Sequence, residues 1–598
     1  VSLGPSSAKG IRADSQGVEG CPLWQAKCHL HHTTMYAKTT PSLLFELAGD
    51  IDMTTLAQTS AAIGWWLPQG QAASSKDEDC CAAFEDLSLP LAVVELDGAP
   101  AIAPGGSIGL GSEAPEGALP LLAYAPAQRI AELGDASFCA DHGLRFPYVA
   151  GAMANGITSV EVVEAMSRAG MIGFFGAAGL HPERVEAALI RFESELGELP
   201  WGVNLIHSPG EPEIESRVAE LYIKHRCRVV SASAYMGLTL PLLRYRLHGI
   251  RHLPDGRIET PNRVIAKVSR VEVAEKFFRP APAKMLAELV AAGHLTEAQA
   301  ALAAKVPVAR DLTAEADSGG HTDNRPALTL LPTMLALAAR IQREEGYDEP
   351  LRVGAAGGIA TPSSAAAAFA MGAAYILTGS VNQACLESGS SDPVRKMLAE
   401  CGQADITMAP AADMFEMGVK VQVLKRGTMF AMRGAKLFDL YRSCEGLHDI
   451  PAAAKTQLEK QIFRQTLDEA WASTRSYWNG RDPNQVARAE ADPKHKMALV
   501  FRSYLGQASR WANAGEASRR IDYQVWCGPA MGAFNEWTRG SFLAATESRD
   551  VVTVAYNLLY GAALRLRARS LSGQGLRLPG SWLQDEPRPR NEVEAQLR

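Results

Sequence analysis

The residues best able to do chemistry stand in one polar stretch, Asp311-Leu-Thr-Ala-Glu-Ala-Asp-Ser-Gly-Gly-His-Thr-Asp-Asn-Arg-Pro326. After Leu312 it holds no apolar residue larger than alanine. The apolar run Val306-Pro-Val-Ala leads into it and reads as a buried strand. Gly319 and Gly320 permit close approach of backbone to a ligand. His321 is the side-chain type that gains or loses a proton near neutral pH. The stretch predicts a ligand-facing turn that carries an acid–base group. A surface loop with a structural histidine is the plainer alternative.

Such a turn needs a frame, and the flanking sequence supplies one. From Pro147 onward, short apolar runs alternate with amphipathic helical stretches. The runs begin at Tyr148, Met171, Trp201, Arg228, Arg263, Val306, Leu351 and Ala374. Eight such units in about 240 residues match the size and period of a (β/α)8 TIM barrel, an α/β fold. Continuous apolar runs indicate a parallel sheet covered by helices. A doubly wound sheet would want a GxGxxG after its first strand, and none stands there.

In a barrel, chemistry sits at the C-terminal ends of the strands. The residues at those ends are Gly151, Ala152 and Met153, then Asn204, Lys267, Gly319-Gly320-His321, Gly357-Gly358 and Gly379-Ser380. The glycine turns after the seventh and eighth runs predict a phosphate cradle of backbone N–H groups and a helix N-terminus. Thr361-Pro362 reads as a helix start. Lys267 is costly to bury without an anion or polar ligand. It suits an anionic reduced flavin, or else a salt bridge to Asp311 or Asp317. Asn204 both donates and accepts, which suits a flavin edge or a structural role.

Length, at 598 residues, predicts two or three domains. Hydrophobic content of 47% and charged content of 21% are ordinary for a soluble chain. A net charge of -7 argues against general binding of nucleic acid or a membrane surface. Neither a spanning apolar run nor a secretory signal is read, so a cytoplasmic enzyme with reduced thiols is expected. Cys21, Cys28, His29, His31 and His32 fit no zinc spacing, and no metal is expected.

Five regions are expected. Residues 1–125 form a small irregular N-terminal domain with a strand at Leu91 and a Pro/Gly linker from Ala99 to Pro120. Residues 126–395 form the barrel. Residues 396–440 follow it, and there Lys420, Lys425, Arg426, Arg433 and Lys436 could dock an acidic partner. Residues 441–570 form a helical domain over the barrel mouth, and 571–598 a disordered tail.

Several long blocks resemble a known family. They are Pro147-Tyr-Val-Ala-Gly-Ala-Met-Ala-Asn-Gly-Ile, Phe174-Phe-Gly-Ala-Ala-Gly-Leu, Asp311 to Pro326, Val353-Gly-Ala-Ala-Gly-Gly-Ile-Ala-Thr-Pro and Thr378-Gly-Ser-Val-Asn-Gln. Two more lie beyond the barrel, Ala409 to Lys420 and Asp522 to Asn535. From about residue 135 to about 540 the chain resembles the PfaD family, the trans-acting enoyl reductases of polyunsaturated fatty acid and polyketide synthases. The barrel blocks are shared with nitronate monooxygenases and flavin-type bacterial enoyl reductases, and the last two single out the family.

The resemblance implies an FMN barrel that reduces an enoyl thioester on an acyl carrier protein with NADPH. His321 then matches the catalytic histidine. Gly357, Gly358, Gly379 and Ser380 match the phosphate turns, and Ala152, Met153, Asn204 and Lys267 match flavin contacts. Asp317 stands where relatives often have Glu, and its shorter side chain puts that role in doubt. A nitronate monooxygenase-type flavin oxygenase is the alternative. Oligomeric state stays open, a homodimer being one option.

Overall fold

Eight strands close into a parallel barrel in chain order. They are Tyr148–Ala150 (β1), Ile172–Phe175 (β2), Gly202–Ile206 (β3), Val229–Ser233 (β4), Arg263–Val268 (β5), Asp311–Glu315 (β6), Arg352–Ala356 (β7) and Ile376–Thr378 (β8). Every neighbouring pair is parallel. The computed structural model describes residues 62–208, 212–583 and 585–597. The Cys21–His32 cluster lies outside them.

One strand differs from expectation. The sixth begins at Asp311, so Val306–Ala309 is only its lead-in. Its sequence, Asp-Leu-Thr-Ala-Glu, alternates polar and apolar with the period of a strand. Leu312 and Ala314 pack outward into the main helix-covered core. Asp311, Thr313 and Glu315 face the interior, where each meets a polar partner. Burial of polar side chains is tolerated only with such partners.

At the barrel floor, Asp311 accepts from Arg352 Nε at 2.6 Å and lies 2.8 Å from His142 Nε2. Midway, Thr313 Oγ1 and Tyr375 Oη are 2.8 Å apart. At the rim, Lys267 Nζ donates to Glu315 at 2.5 Å. The floor is plugged by the helix Ala136–His142, whose N-cap Asp135 accepts from Ser137 N. Phe138 of that helix stacks on Tyr375 with centroids 4.1 Å apart.

The N-terminal region is more regular than expected. Gly64–Leu67, Leu91–Leu96, Ala99–Pro104, Ser107–Leu110 and Leu119–Ala125 form a five-stranded antiparallel sheet. The expected linker from Ala99 to Pro120 thus supplies two full strands and the start of a third. Gly105 and Gly106, both at positive φ, make the turn between those two.

The helical region also divides. Leu467–Arg481 and Pro493–Ala514 stand over the barrel mouth, whereas Val551–Gly573 lies along the barrel's side. There Gly561 lets the long helix press on Pro362 of a barrel helix, since a Cβ would come within 2.6 Å of it. Arg567 of the same helix is buried and donates to Phe84 O at 2.9 Å and Asp86 O at 2.7 Å, fastening the N-terminal region.

The tail expected to be disordered folds back as the helix Arg590–Gln596. Asn557 holds the backbone of Arg588 by bonds of 2.7 and 2.9 Å, and Val593 is fully buried. Among the described residues, no helix is long and apolar enough to cross a membrane.

Candidate functional site

The strand ends open into one cavity of about 1210 Å³. All twelve residues singled out in the sequence line it: Gly151, Ala152, Met153, Asn204, Lys267, Gly319, Gly320, His321, Gly357, Gly358, Gly379 and Ser380. The (β/α)8 closure brings them together, since they span some 230 residues of chain but share one barrel rim.

The two glycine turns have different tasks. At Gly357, φ is +85°, and a Cβ would lie 2.6 Å from the Ala316 carbonyl carbon, so glycine is needed for packing of one turn on the next. At Gly358, φ is +78° and a Cβ would meet nothing within 4 Å, and Gly379 is equally open. These two backbones border the cavity and leave a cradle that a side chain would fill. The adjacent helix Pro362–Ala370 contributes less than expected. Its capping box commits the Thr361 and Ser364 N–H groups, and Ala360 N donates to Ser364 Oγ at 3.0 Å. An anion here would be held by the glycine turns rather than by that helix end.

Gly319 answers a contact within the protein. Its Cβ would lie 2.9 Å from the backbone of both Cys527 and Gly528. Gly528 N in turn donates to Ser380 Oγ at 3.3 Å. The segment after the helices therefore closes across two rim turns.

In three acid–base pairs both members line the cavity. Lys267 meets Glu315, both about one-fifth exposed, not Asp311 or Asp317. Arg270 meets Asp323 in a two-point contact, 2.9 Å at each bond. The guanidinium and the Ser269 hydroxyl hold the Asp323 carboxyl down to about 2. His321 Nε2 meets Asp413 Oδ1 at 3.1 Å. The His321 ring is 43% exposed to the cavity; the protein around it partly desolvates a charged imidazole, but the hydrogen bond and charge of Asp413 outweigh that and raise its pKa, with nearby Lys267 opposing the rise and Glu315 supporting it. Asp413 is exposed at the cavity's edge; partial desolvation works to raise its carboxyl, yet His321 holds it below the usual range.

A small sheet sets the position of His321. Gly320–His321 pairs antiparallel with Val421–Gln422, on a hairpin made of Ile406–Pro410 and Lys420–Leu424. The hairpin's connecting loop carries Asp413. Asp317 does not line the cavity. It accepts from Asn324 Nδ2 at 2.8 Å and Gln422 Nε2 at 3.2 Å, and so shapes the turn. Asn204 uses its Nδ2 on Ser231 O at 2.9 Å and Ser233 Oγ at 3.2 Å, which leaves its carbonyl as the group to offer a ligand.

Glu315, Asp323 and Asp413 were not foreseen. Asp413 did lie within a recognised block, Ala409 to Lys420, but nothing local ties it to a histidine 92 residues away. Of the basic surplus after the barrel, Lys420, Lys425 and Arg426 are exposed and Arg433 is turned inward. Arg433 pairs with the buried Asp522, Lys436 meets Gln457, Arg426 reaches Asp405 at 3.7 Å, and Lys420 borders the cavity.

With this geometry in view, comparisons with known proteins are informative. The family model for nitronate monooxygenase matches residues 138–469. A second model, the inserted helical domain of [acyl-carrier-protein] S-malonyltransferase, matches residues 444–523. A polyunsaturated fatty acid synthase polypeptide of Thraustochytrium is 47% identical over 449 residues, covering 74% of this chain and 30% of the relative. Polyketide biosynthesis protein PksE of Bacillus subtilis is 41% identical over 441 residues, covering 74% and 57%. The chain thus spans under two thirds of the length of these curated relatives. The crystal structure of the enoyl reductase domain of MlnA, from the macrolactin cluster of Bacillus amyloliquefaciens, is 40% identical with a TM-score of 0.71. That match covers 74% of this chain and 99% of the domain.

Proposed function

Because the chain belongs to the nitronate monooxygenase family, in its PfaD-type enoyl reductase branch, we propose that it is an FMN-dependent enoyl reductase acting on enoyl thioesters of an acyl carrier protein. NADPH is the reductant. What carries this function is the convergence of all twelve strand-end residues on one cavity that has an open glycine cradle at one side and His321–Asp413 at the other.

The residues present fit FMN. Gly358 and Gly379, with Ser380, would hold its phosphate. Lys267 would face the ring's electron-rich edge, and the Asn204 carbonyl would accept from it. When bound, FMN supplies the hydride chemistry between nicotinamide and the substrate's β-carbon. The protein's own residues do the rest. Reduction of a 2,3 double bond leaves a thioester enolate that needs a proton at its α-carbon. His321, whose charged form Asp413 favours, is our candidate to give it. Lys267, if it exchanges Glu315 for the ligand, would donate to the enolate oxygen.

The helical layer over the barrel mouth, Leu467–Arg481 and Pro493–Ala514, supports this function over nitronate oxidation. Small-molecule sites commonly span about 300–1,000 Å³. A space of about 1210 Å³, walled by an extra helical layer, has room for a ligand larger than a nitronate beside a flavin. The test is anaerobic. Purified protein should be yellow, bleach with NADPH and regain colour with a crotonyl-type thioester. Protein that cannot be reconstituted with FMN, or that turns over only alkyl nitronate and oxygen, would overturn it.

A further inference from the structure

The cavity has a second wall that the flavin reading does not use. It is built by Leu467–Arg481 and Pro493–Ala514, the helices over the barrel mouth. On the first, Thr474, Tyr477, Trp478 and Arg481 face the cavity at one-turn spacing. On the second, Arg502, Ser503 and Arg510 do the same.

The charge on this wall is of one sign. Between residues 467 and 530, the described lining holds three arginines and no carboxylate. Arg502 is turned toward the Asp413 loop, donating to Ala412 O at 2.8 Å and reaching Glu416 at 3.1 Å. Arg510 and Arg481 lie over the same ring, that of Tyr477, at 5.6 and 5.8 Å from its centroid. Cation–ring contact at these distances fixes where a guanidinium sits. Tyr477 itself stays 43% exposed.

The lining's carboxylates each have a partner of their own: Glu215 with His207, Glu315 with Lys267, Asp323 with Arg270 and Asp413 with His321. The potential at Arg510 is therefore not cancelled by any acid of the described lining. An arginine set against an aromatic ring at the edge of this cavity matches a ligand's anionic group, a phosphate ester among them, better than a neutral group, because its fork of donors pairs with two oxygens at once.

We propose that Arg510, set by Tyr477, binds the phosphate ester of a second ligand that enters the cavity alongside the one on the barrel rim. Given the enoyl reductase function proposed above, on which the choice of ligand rests, that phosphate has two sources. One is the 4′-phosphate of the pantetheine arm that bears the acyl group. The other is the adenosine 2′-phosphate of the reductant. Either would direct the ligand's reactive end inward toward Lys267 and His321.

Calorimetry on the full flavin-loaded chain tests this without turnover. The probes are pantetheine 4′-phosphate against pantetheine, and adenosine 2′-phosphate against adenosine. Wild type should bind the phosphorylated member of at least one pair about 10- to 100-fold more tightly, the worth of a charge-assisted hydrogen bond. Arg510→Ala should erase that preference while the bound flavin spectrum is kept, and Arg510→Lys should restore part of it. Discrimination in the pantetheine pair assigns the site to the carrier arm, in the adenosine pair to the reductant, and in both to either phosphate. Equal binding within both pairs, or a preference that survives in Arg510→Ala, overturns the proposal. Because no enoyl thioester is present, this outcome is independent of whether the protein reduces one.

Discussion

Strand β6 carries an ion pair at each end, and the two ends behave differently. At the floor, Asp311 joins His142 and Arg352, with side chains 4%, 0% and 2% exposed. At the rim, Lys267 and Glu315 are 18% and 19% exposed and border the cavity. The chemistry is alike: a carboxylate from one strand meets a cation from its neighbour. Solvent and ligand access differ. The sealed set holds the barrel shut, whereas the open one remains able to exchange its partner for a ligand's charge. An ion pair on a barrel strand thus reads as structure or as function by which end of the strand it occupies.

The contrast is broken most strongly at the floor. Asp311→Ala leaves His142 buried without its carboxylate and Arg352 with Asp141 alone, which costs about 3–5 kcal/mol. A lowered denaturation midpoint should report it, with flavin content per folded molecule unchanged. Acid should act the same way. Burial alone would raise the Asp311 carboxyl, but His142 and Arg352 hold it far below the ordinary value. Its contribution is therefore full above the unfolded carboxyl range, near pH 4, and is lost as pH falls toward the folded value.

At the rim the expected losses are in activity. His321→Ala should lower turnover of an enoyl thioester by roughly 100- to 10,000-fold, the usual worth of a positioned acid. Thermal stability and colour should hold. Next, Gly358→Val puts a side chain into the open cradle and a branched residue at positive φ. FMN affinity should fall by about tenfold or more, read by equilibrium dialysis of the flavin. The smallest effect is expected from Asp413→Asn. Removal of its charge lowers the His321 pKa, so the limb of the rate profile that follows the charged imidazole should move to lower pH. An unmoved limb would detach Asp413 from His321.

Much of this was legible because it is local. Apolar runs with a helical stretch after each mark the barrel, and the Gly357-Gly358 and Gly379-Ser380 turns mark the part of the rim where the phosphate cradle is proposed. The sixth strand was misplaced because Asp311, Thr313 and Glu315 look like loop residues until their partners across the barrel are known. Asp413 and Cys527-Gly528 were visible as blocks, but their task is long-range: one meets His321 and the other closes over Gly319. The mouth helices offered only amphipathic spacing, which does not distinguish a cavity wall from a core. The folded tail depends on Asn557 and Val593, and no local signal predicts that docking.

The most direct measurement is an anaerobic single turnover. Protein reduced with one equivalent of dithionite is mixed with a crotonyl-pantetheine thioester, and the flavin absorbance is followed in the stopped flow. The rim site as described predicts full return of the oxidised spectrum with one butyryl product formed per flavin, much slower in His321→Ala. A reduced spectrum that persists in the presence of thioester, and reoxidises only on admission of oxygen, would contradict it.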